Sequence, residues 1–399
     1  MLYFRSPQVV FGQEALDHLA YLKGERAFIV ADPVMTRLGF VEVVKAQLAR
    51  AGFTCDVFDQ VEPEPSLQTV QRGAQLMLER QPDWIVGLGG GSALDAAKAM
   101  WILYERPDLN PEDINPFDEL GLRRKARMVA IPTTSGTGSE STWAVVLTHT
   151  GEGRKLSTGA PECTPDLAIV DPVFAAHMPP RLTADTGLDA LTHAVEGYTS
   201  SWHNDFADGL CLKAIQMIFA YLPRAYADGS DMEAREKMHN AATLAGLGFI
   251  NSLAAAAHAL GHSLGAVFHV PHGRAVALLL PYTIQFNIRG DRPTRYADIA
   301  RFLSLPAPRA PLAPRAGPTG DETQALVAAV RDLARQVGQP LSIREALPDV
   351  GPDQFAARLD KLVENAEMDA TIVASPRDLS TADTRRLFEY AYEGTDIDF

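Results

Sequence analysis

Short apolar runs alternate with amphipathic stretches through the first half of this 399-residue chain, and the alternation stops near Pro180. RAFIVAD (26–32), FTCDVFDQV (53–61), the DWIVGLG run from residue 83, RMVAIPTT (127–134) and DLAIVDP (166–172) read as strands. Between them, FVEVVKAQLARAG (40–52), SLQTVQRGAQLMLERQ (66–81) and SALDAAKAMWILYE (92–105) carry apolar residues at helical spacing, with Ser66 placed as an N-cap. Strands that take turns with helices predict a parallel sheet with crossover helices. Residues 181–303 are helical by period and rich in Ala and Leu, and amphipathic helices return toward the C-terminus. The expected fold is therefore an α/β domain over 1–180 followed by an all-helical domain over 181–399. LPAPRAPLAPRAGPTG (305–320) reads as a Pro/Ala-rich surface excursion, and 105–119 as an acidic surface loop.

The helical half concentrates chemistry in one window. AAAAHALGHSLGAVFHVPHG (254–273) holds four of the ten histidines. His258 and His262 stand four apart and share a helix face. Pro271 and Gly273 bracket His272, which places that imidazole in a turn just after a helix end. Upstream, TGLDALTHAVEGY (186–198) puts Asp189 and His193 at the same i, i+4 spacing, behind a Thr186-Gly187 pair that resembles a helix start. One carboxylate and several imidazoles converging from two helices and a turn have the composition of a divalent metal site. Spacing alone does not choose between His258 and His262 as the ligand.

Two small-residue loops follow strands in the first half. Gly87-Leu88-Gly89-Gly90-Gly91-Ser92 closes one strand and opens a helix, where backbone N–H groups and the helix N-terminus favour a phosphate. It is not the spaced GxGxxG fingerprint. PTTSGTGSE (132–140) follows another strand, and two such loops mark the ligand crevice of an open α/β sheet. Asp32, closing its strand, is placed to accept hydrogen bonds from a ribose 2′-hydroxyl and to repel a 2′-phosphate, which points to NAD over NADP.

The totals narrow the class. A formal net charge of −14 excludes an ordinary nucleic-acid binder. Cys55, Cys163 and Cys211 are too scattered for a disulfide framework or a zinc cluster and suit the cytoplasm. The apolar segment 241–268 is interrupted by Asn251, His258, His262 and four glycines, so a buried helix or helix pair is expected there and no membrane span.

GGGSALDAAK (89–98), PTTSGTGSE (132–140), GLDALTHAVEGY (187–198) and HALGHSLGAVFHVPHG (258–273) together resemble the signatures of the iron-dependent (group III) alcohol dehydrogenases. The likeness is close to the alcohol dehydrogenase half of bifunctional aldehyde–alcohol dehydrogenases. It implies a Rossmann-like NAD-binding domain followed by an all-helical metal-binding domain, the architecture also shared by dehydroquinate synthase. It implies Asp189, His193, His258 and His272 as ligands of Fe²⁺, with Zn²⁺ as an alternative, and His262 as the proton-transfer residue. His269 is left as a supporting histidine. For NAD it implies Asp32, Glu64, Gly89, Gly90, Gly91, Ser92, Ala93, Leu94, Asp95, Thr133, Thr134, Thr137, Val146, Lys155 and Phe174. Ala144, Phe249 and Thr371 are implied to shape the substrate pocket. Ser263, Val276 and Ser375 depart from the family's usual residues without touching a ligand. The expected activity is hydride transfer between a small primary alcohol or aldehyde and NAD, by a homodimer or higher homo-oligomer. A lyase of the dehydroquinate synthase type and a non-catalytic metal- or nucleotide-binding scaffold are the competing expectations.

Overall fold

The structure is a computed structural model that describes residues 3–115, 119–149, 154–306 and 318–399. The chain divides into two compact units, one comprising Met1–Met178 with Arg235–Leu247, the other Pro179–Ala234 with Gly248–Phe399.

Among the described residues, the first unit is built on eight strands: β1 (Gln8–Phe11), β2 (Arg26–Ala31), β3 (Thr54–Phe58), β4 (Trp84–Gly89), β5 (Arg127–Pro132), β6 (Val145–His149), β7 (Arg154–Thr158) and β8 (Leu167–Val170). Among the described residues, six of them form a sheet in the order β1-β8-β5-β4-β2-β3, parallel throughout. β6 and β7 make an antiparallel hairpin that the hydrophobic pattern did not reveal. The helices are α1 (Pro33–Arg37), α2 (Phe40–Arg50), α3 (Leu67–Arg80), α4 (Gly91–Glu105) and α5 (Pro172–Ala175). Ser66 caps α3, accepting the Thr69 N–H at 3.2 Å.

Both faces of a parallel sheet are covered by helices, so its strands are apolar on both sides. Phe28 and Val30 of β2 face one buried cluster with Met100 and Trp101 of α4. Ala27, Ile29 and Ala31 of the same strand face the other, with Val41 and Val44 of α2. The chain leaves β2 for β3 on one side and returns to β4 on the other. The β2/β4 junction is thus the switch point where open sheets bind ligands.

The second unit is helical: α6 (Pro180–Thr199), α7 (Asp205–Ala227), α8 (Met232–Ile250), α9 (Ala256–Phe268), α10 (His272–Asn287), α11 (Tyr296–Phe302), α12 (Pro318–Gln336), α13 (Ile343–Ala346), α14 (Pro352–Ala356), α15 (Leu359–Glu367) and α16 (Thr381–Glu393), although Arg235–Leu247 of α8 groups with the first unit. Leu260, Leu264, Leu279, Phe286, Leu362 and Phe388 centre its apolar core. The apolar segment 241–268 is a helix pair, the end of α8 and all of α9.

Three sequence readings need correction. Thr186 and Gly187 do not start a helix; α6 begins at Pro180, because Pro at the first helical position is the stronger signal. His272 is not outside a helix but opens α10, with Pro271 as its N-cap residue. Of the 305–320 stretch, 307–317 lies outside the described residues and the end belongs to α12.

Gly273 explains how α10 reaches α6. A Cβ there would lie 2.2 Å from the Asp185 carbonyl oxygen, so no side chain fits. Arg274 then holds the approach, donating from Nε and Nη2 to Asp185 Oδ1 at 3.1 and 3.0 Å. Gly273→Ala is expected to destabilise the protein by about 1–3 kcal/mol, since overpacking against backbone cannot relax through a rotamer. Denaturant unfolding that matched the wild type would contradict this account of the contact.

Candidate metal centre and dinucleotide loops

The centre lies in the second unit, where Asp189, His193 and His258 are buried and the His272 side chain is 40% exposed. Asp189 and His193 sit one turn apart on α6, His258 in the first turn of α9, and His272 at the start of α10. The carboxylate of Asp189 is 1% exposed. Its Oδ1 stands 3.4 Å from His272 Nε2, 3.8 Å from His258 Nε2 and 3.7 Å from His193 Nδ1. One ligand atom each from Asp189, His258 and His272 falls within 4.8 Å of the others. His193 is outside that trio, but its ring stacks on His258 at 4.4 Å and on Phe249 at 4.1 Å.

Most of these contacts are too long for hydrogen bonds. Asp189 Oδ1, His193 Nδ1 and His258 Nε2 are buried without a hydrogen-bond partner among the described residues. A buried polar atom left unpaired costs about 1–3 kcal/mol. Three of them facing one another are therefore unfavourable unless a cation completes the set. The donor chemistry, imidazole nitrogens with one carboxylate, fits a first-row divalent metal.

Charge is graded across the cluster. Burial pushes the His193 imidazole down to about 3, so it stays neutral and keeps a lone pair. His258 is driven up to about 9: burial opposes its charge, but Asp189 and Glu196 outweigh that. A divalent ion would replace that proton, as metal and proton compete for the same imidazole.

Glu196, which the sequence reading passed over, is the anchor of this arrangement. Its Oε2 takes His258 Nδ1 at 2.6 Å and the Ala255 N–H at 2.9 Å, while Oε1 takes the Ala257 N–H at 2.6 Å. One carboxylate on α6 thus caps the start of α9 and turns His258 Nε2 toward Asp189. Its position, seven residues after Asp189 and three after His193, was a readable signal of a shared helix face.

His262 lies outside the trio. Its Nδ1 bonds Asp369 Oδ2 at 2.7 Å, and its ring stacks on His272 at 5.0 Å. Asp369 is in turn held through Oδ1 by the Thr371 hydroxyl at 2.6 Å and the Thr371 N–H at 2.9 Å. Burial favours the neutral form of Asp369, yet the His262 ring and Thr371 hold its carboxyl well below the usual carboxylate range. Thr371, expected at the substrate pocket, therefore serves this carboxylate. No local signal links Asp369 to a histidine 107 residues away. His269 closes α9 with a left-handed backbone, φ 56°. Ser263 donates to the Leu362 carbonyl at 2.7 Å.

In the first unit, Asp32 caps α1 beyond β2, its Oδ1 accepting the Val34 and Met35 N–H groups at 2.7 and 3.3 Å. Its Oδ2 lies where a Cβ on Gly89 would come within 3.2 Å, at the β2/β4 switch point. Gly89 has φ 151° and a Cβ there would meet Ala93 Cβ at 2.6 Å, so this position requires glycine. Gly90 heads α4 with no side-chain cap, which leaves the first-turn N–H groups of Gly91 and Ser92 for an anion. A Cβ on Gly91 would sit 2.9 Å from Thr137 Cγ2, and one on Gly90 3.2 Å from Thr134 Cγ2. The two loops thus touch along their small residues. Thr133 is tied back to β4 through its N–H on the Gly89 carbonyl, at 3.0 Å.

The other residues implied for the cofactor, and Ala144 implied for the substrate pocket, have these surroundings. Glu64 has φ 57°, and its N–H reaches Ser92 Oγ at 3.3 Å. Ala93 and Leu94 are buried in α4. Asp95 takes Ser139 Oγ at 2.6 Å and the Val146 N–H at 3.0 Å. Phe174 is 2% exposed and edge-on to Phe40, so its ring serves the apolar core. Ala144 gives its carbonyl to Lys98. Lys155 lies on β7, its side chain outside the described residues.

Two family profiles match the chain: one described as iron-containing alcohol dehydrogenase over residues 6–172, and the C-terminal part of the Fe-containing alcohol dehydrogenase family over 183–392. An NADPH-dependent butanol dehydrogenase of Clostridium saccharobutylicum is 41% identical, with 100% of each chain covered. The bifunctional aldehyde-alcohol dehydrogenase AdhE of Escherichia coli K12 is 38% identical over 99% of this chain, which spans 47% of that longer protein. An alcohol dehydrogenase from Oenococcus oeni superposes with a TM-score of 0.89 at 30% identity, covering 98% of this chain and 100% of its own. The chain belongs to the iron-containing alcohol dehydrogenase family.

Proposed function

We propose that this enzyme transfers hydride reversibly between a small primary alcohol and NAD, using Fe²⁺ or Zn²⁺ held by Asp189, His193, His258 and His272. The observation that carries the metal reading is the convergence of three buried, unpartnered polar atoms from Asp189, His193 and His258. A divalent ion bound there supplies Lewis acidity, lowering the pKa of an alcohol hydroxyl. NAD supplies the hydride acceptor. The protein's part is to aim its imidazoles and to move one proton. His262 takes that proton: Nδ1 is engaged by Asp369 at 2.7 Å, which leaves Nε2 as the nitrogen for the transfer.

For the dinucleotide, the uncapped start of α4 receives the pyrophosphate and Asp32 receives the adenosine ribose. One relative is named for NADPH. A carboxylate at the β2/β4 switch point repels a 2′-phosphate, and this favours NAD here. The neutral wall offered by Phe249 and Ala254–Ala257 suits a short uncharged alcohol, in keeping with a relative named for butanol. Three unpaired cysteines suit the cytoplasm. A dehydroquinate-synthase-type lyase would use NAD only transiently, so steady NADH accumulation from butan-1-ol at 340 nm separates the two chemistries.

His258→Ala and His272→Ala are each expected to lose bound metal and activity together, while His262→Ala keeps its metal and loses turnover. Metal analysis beside kcat decides this, and an empty site in His262→Ala would reverse the assignment. Glu196→Gln is expected to weaken Co²⁺ binding about 10- to 100-fold. Unchanged affinity would reduce Glu196 to a helix cap.

Asp32→Gly is expected to move the ratio of kcat/KM values for NAD and NADP toward NADP. The carboxylate's charge-assisted hydrogen bonds are worth about 1.5–3 kcal/mol. A wild-type enzyme indifferent to the two cofactors would refute the role of Asp32.

A further inference from the structure

The first unit buries a lysine that neither the metal nor the hydride chemistry uses. Lys98 lies two turns into α4 and is 0% exposed. Lysines are almost never fully buried unless paired, because desolvation of the ammonium is costly. Here Nζ donates to Ser139 Oγ at 2.8 Å, to the Ala144 carbonyl at 3.0 Å and to Thr142 Oγ1 at 3.4 Å. Asp95 Oδ1 is 3.8 Å away.

Asp95 completes the network from one turn earlier on the same helix. Ser139 Oγ accepts from Lys98 and donates to Asp95 Oδ1 at 2.6 Å, and Asp95 Oδ2 takes the Val146 N–H at 3.0 Å. Two side chains of α4 therefore grip the end of the PTTSGTGSE loop, the segment leading to β6, and β6 itself. At its other end the loop is tied to β4 through Thr133. Between those ties, Thr134 and Thr137 rest on Gly90 and Gly91. The glycine turn and the threonine loop are independent in sequence, and the one helix that begins in the first of them clamps the second.

We infer that Lys98, with Asp95 and Ser139, is a buried staple that holds the two dinucleotide loops in mutual register, a positioning device for NAD. Lys98 and Ser139 act through where they put the threonine loop. Pre-organisation of that kind lowers the ordering cost of binding. Burial pulls the ammonium's pKa down, and the Asp95 carboxylate opposes that shift. This inference rests on the reading of the two loops as the dinucleotide surface.

The test uses Lys98→Met, which keeps the length and removes the charge and donors, and Ser139→Ala, which removes only the shared hydroxyl. NADH affinity is followed by fluorescence titration of the metal-loaded enzyme, with apo Tm and metal content as controls. Lys98→Met is expected to raise the Kd for NADH at least tenfold and Ser139→Ala about threefold, with bound metal retained. Asp95→Asn and Ser139→Ala, combined, should lose less than the product of their separate effects, as members of one network do. NADH affinity within twofold of wild type in both Lys98→Met and Ser139→Ala would overturn the staple. If Lys98→Met does not fold, Ser139→Ala and its cycle with Asp95→Asn decide alone. Wild-type protein that binds neither NADH nor NADPH would instead sink the dinucleotide reading itself, a distinguishable failure.

Discussion

Helices α6, α9 and α10 meet at backbone distance, and that closeness is the condition for everything the second unit does. A Cβ on Gly273 would collide with the Asp185 carbonyl, and one on Gly261 would lie 2.9 Å from the backbone of Val276. Small residues at these crossings let two helices carry short side chains into a shared space that larger neighbours would hold apart. Asp189, His258 and His272 converge because the helices can come this close. The apolar core of Leu260, Leu264 and Leu279 supplies the driving force, and Arg274 on Asp185 supplies the direction.

Convergence alone would place polar atoms in an apolar interior with nothing to bond. The structure resolves half of that difficulty internally and leaves the other half to an ion. Glu196 satisfies the outer nitrogen of His258 and two backbone donors of α9, and Asp369 satisfies the outer nitrogen of His262. Asp189 Oδ1, His193 Nδ1 and His258 Nε2 have no partner among the described residues, and their unfavourable burial is what a cation would relieve. An outer ring of carboxylates with an inner ring of unpaired donors differs from a set of core histidines, which would be satisfied on both nitrogens.

The first unit solves a parallel problem with different parts. Its glycines make room for the threonine loop, since Gly90 and Gly91 present no Cβ to Thr134 and Thr137. Loops so short on side chains have little packing of their own to hold them. Their order comes from beneath, from Asp95 and Lys98 on the helix that the glycine turn opens. In both units, then, a charged side chain buried behind the site does the aiming.

Much of this was legible in the residues themselves. Strand and helix periodicity, the two small-residue loops and the i, i+4 pairs are local, because repeat and spacing depend only on backbone geometry. The family motifs implied a metal cluster and dinucleotide loops from the same local strings. Other features were settled only by folding. Which histidine faces Asp189, and which faces Asp369, depends on the rotation of α9 against α6 and on a segment 107 residues downstream. Thr371 and Asp95 are recognisable as residues near a site, but only their hydrogen bonds show that they serve other side chains. Lys98 looks like one more charge on an Ala-rich helix until the fold closes over it. Local chemistry determined what the chain carries; long-range packing, whose partners no spacing rule encodes, decided which atoms meet.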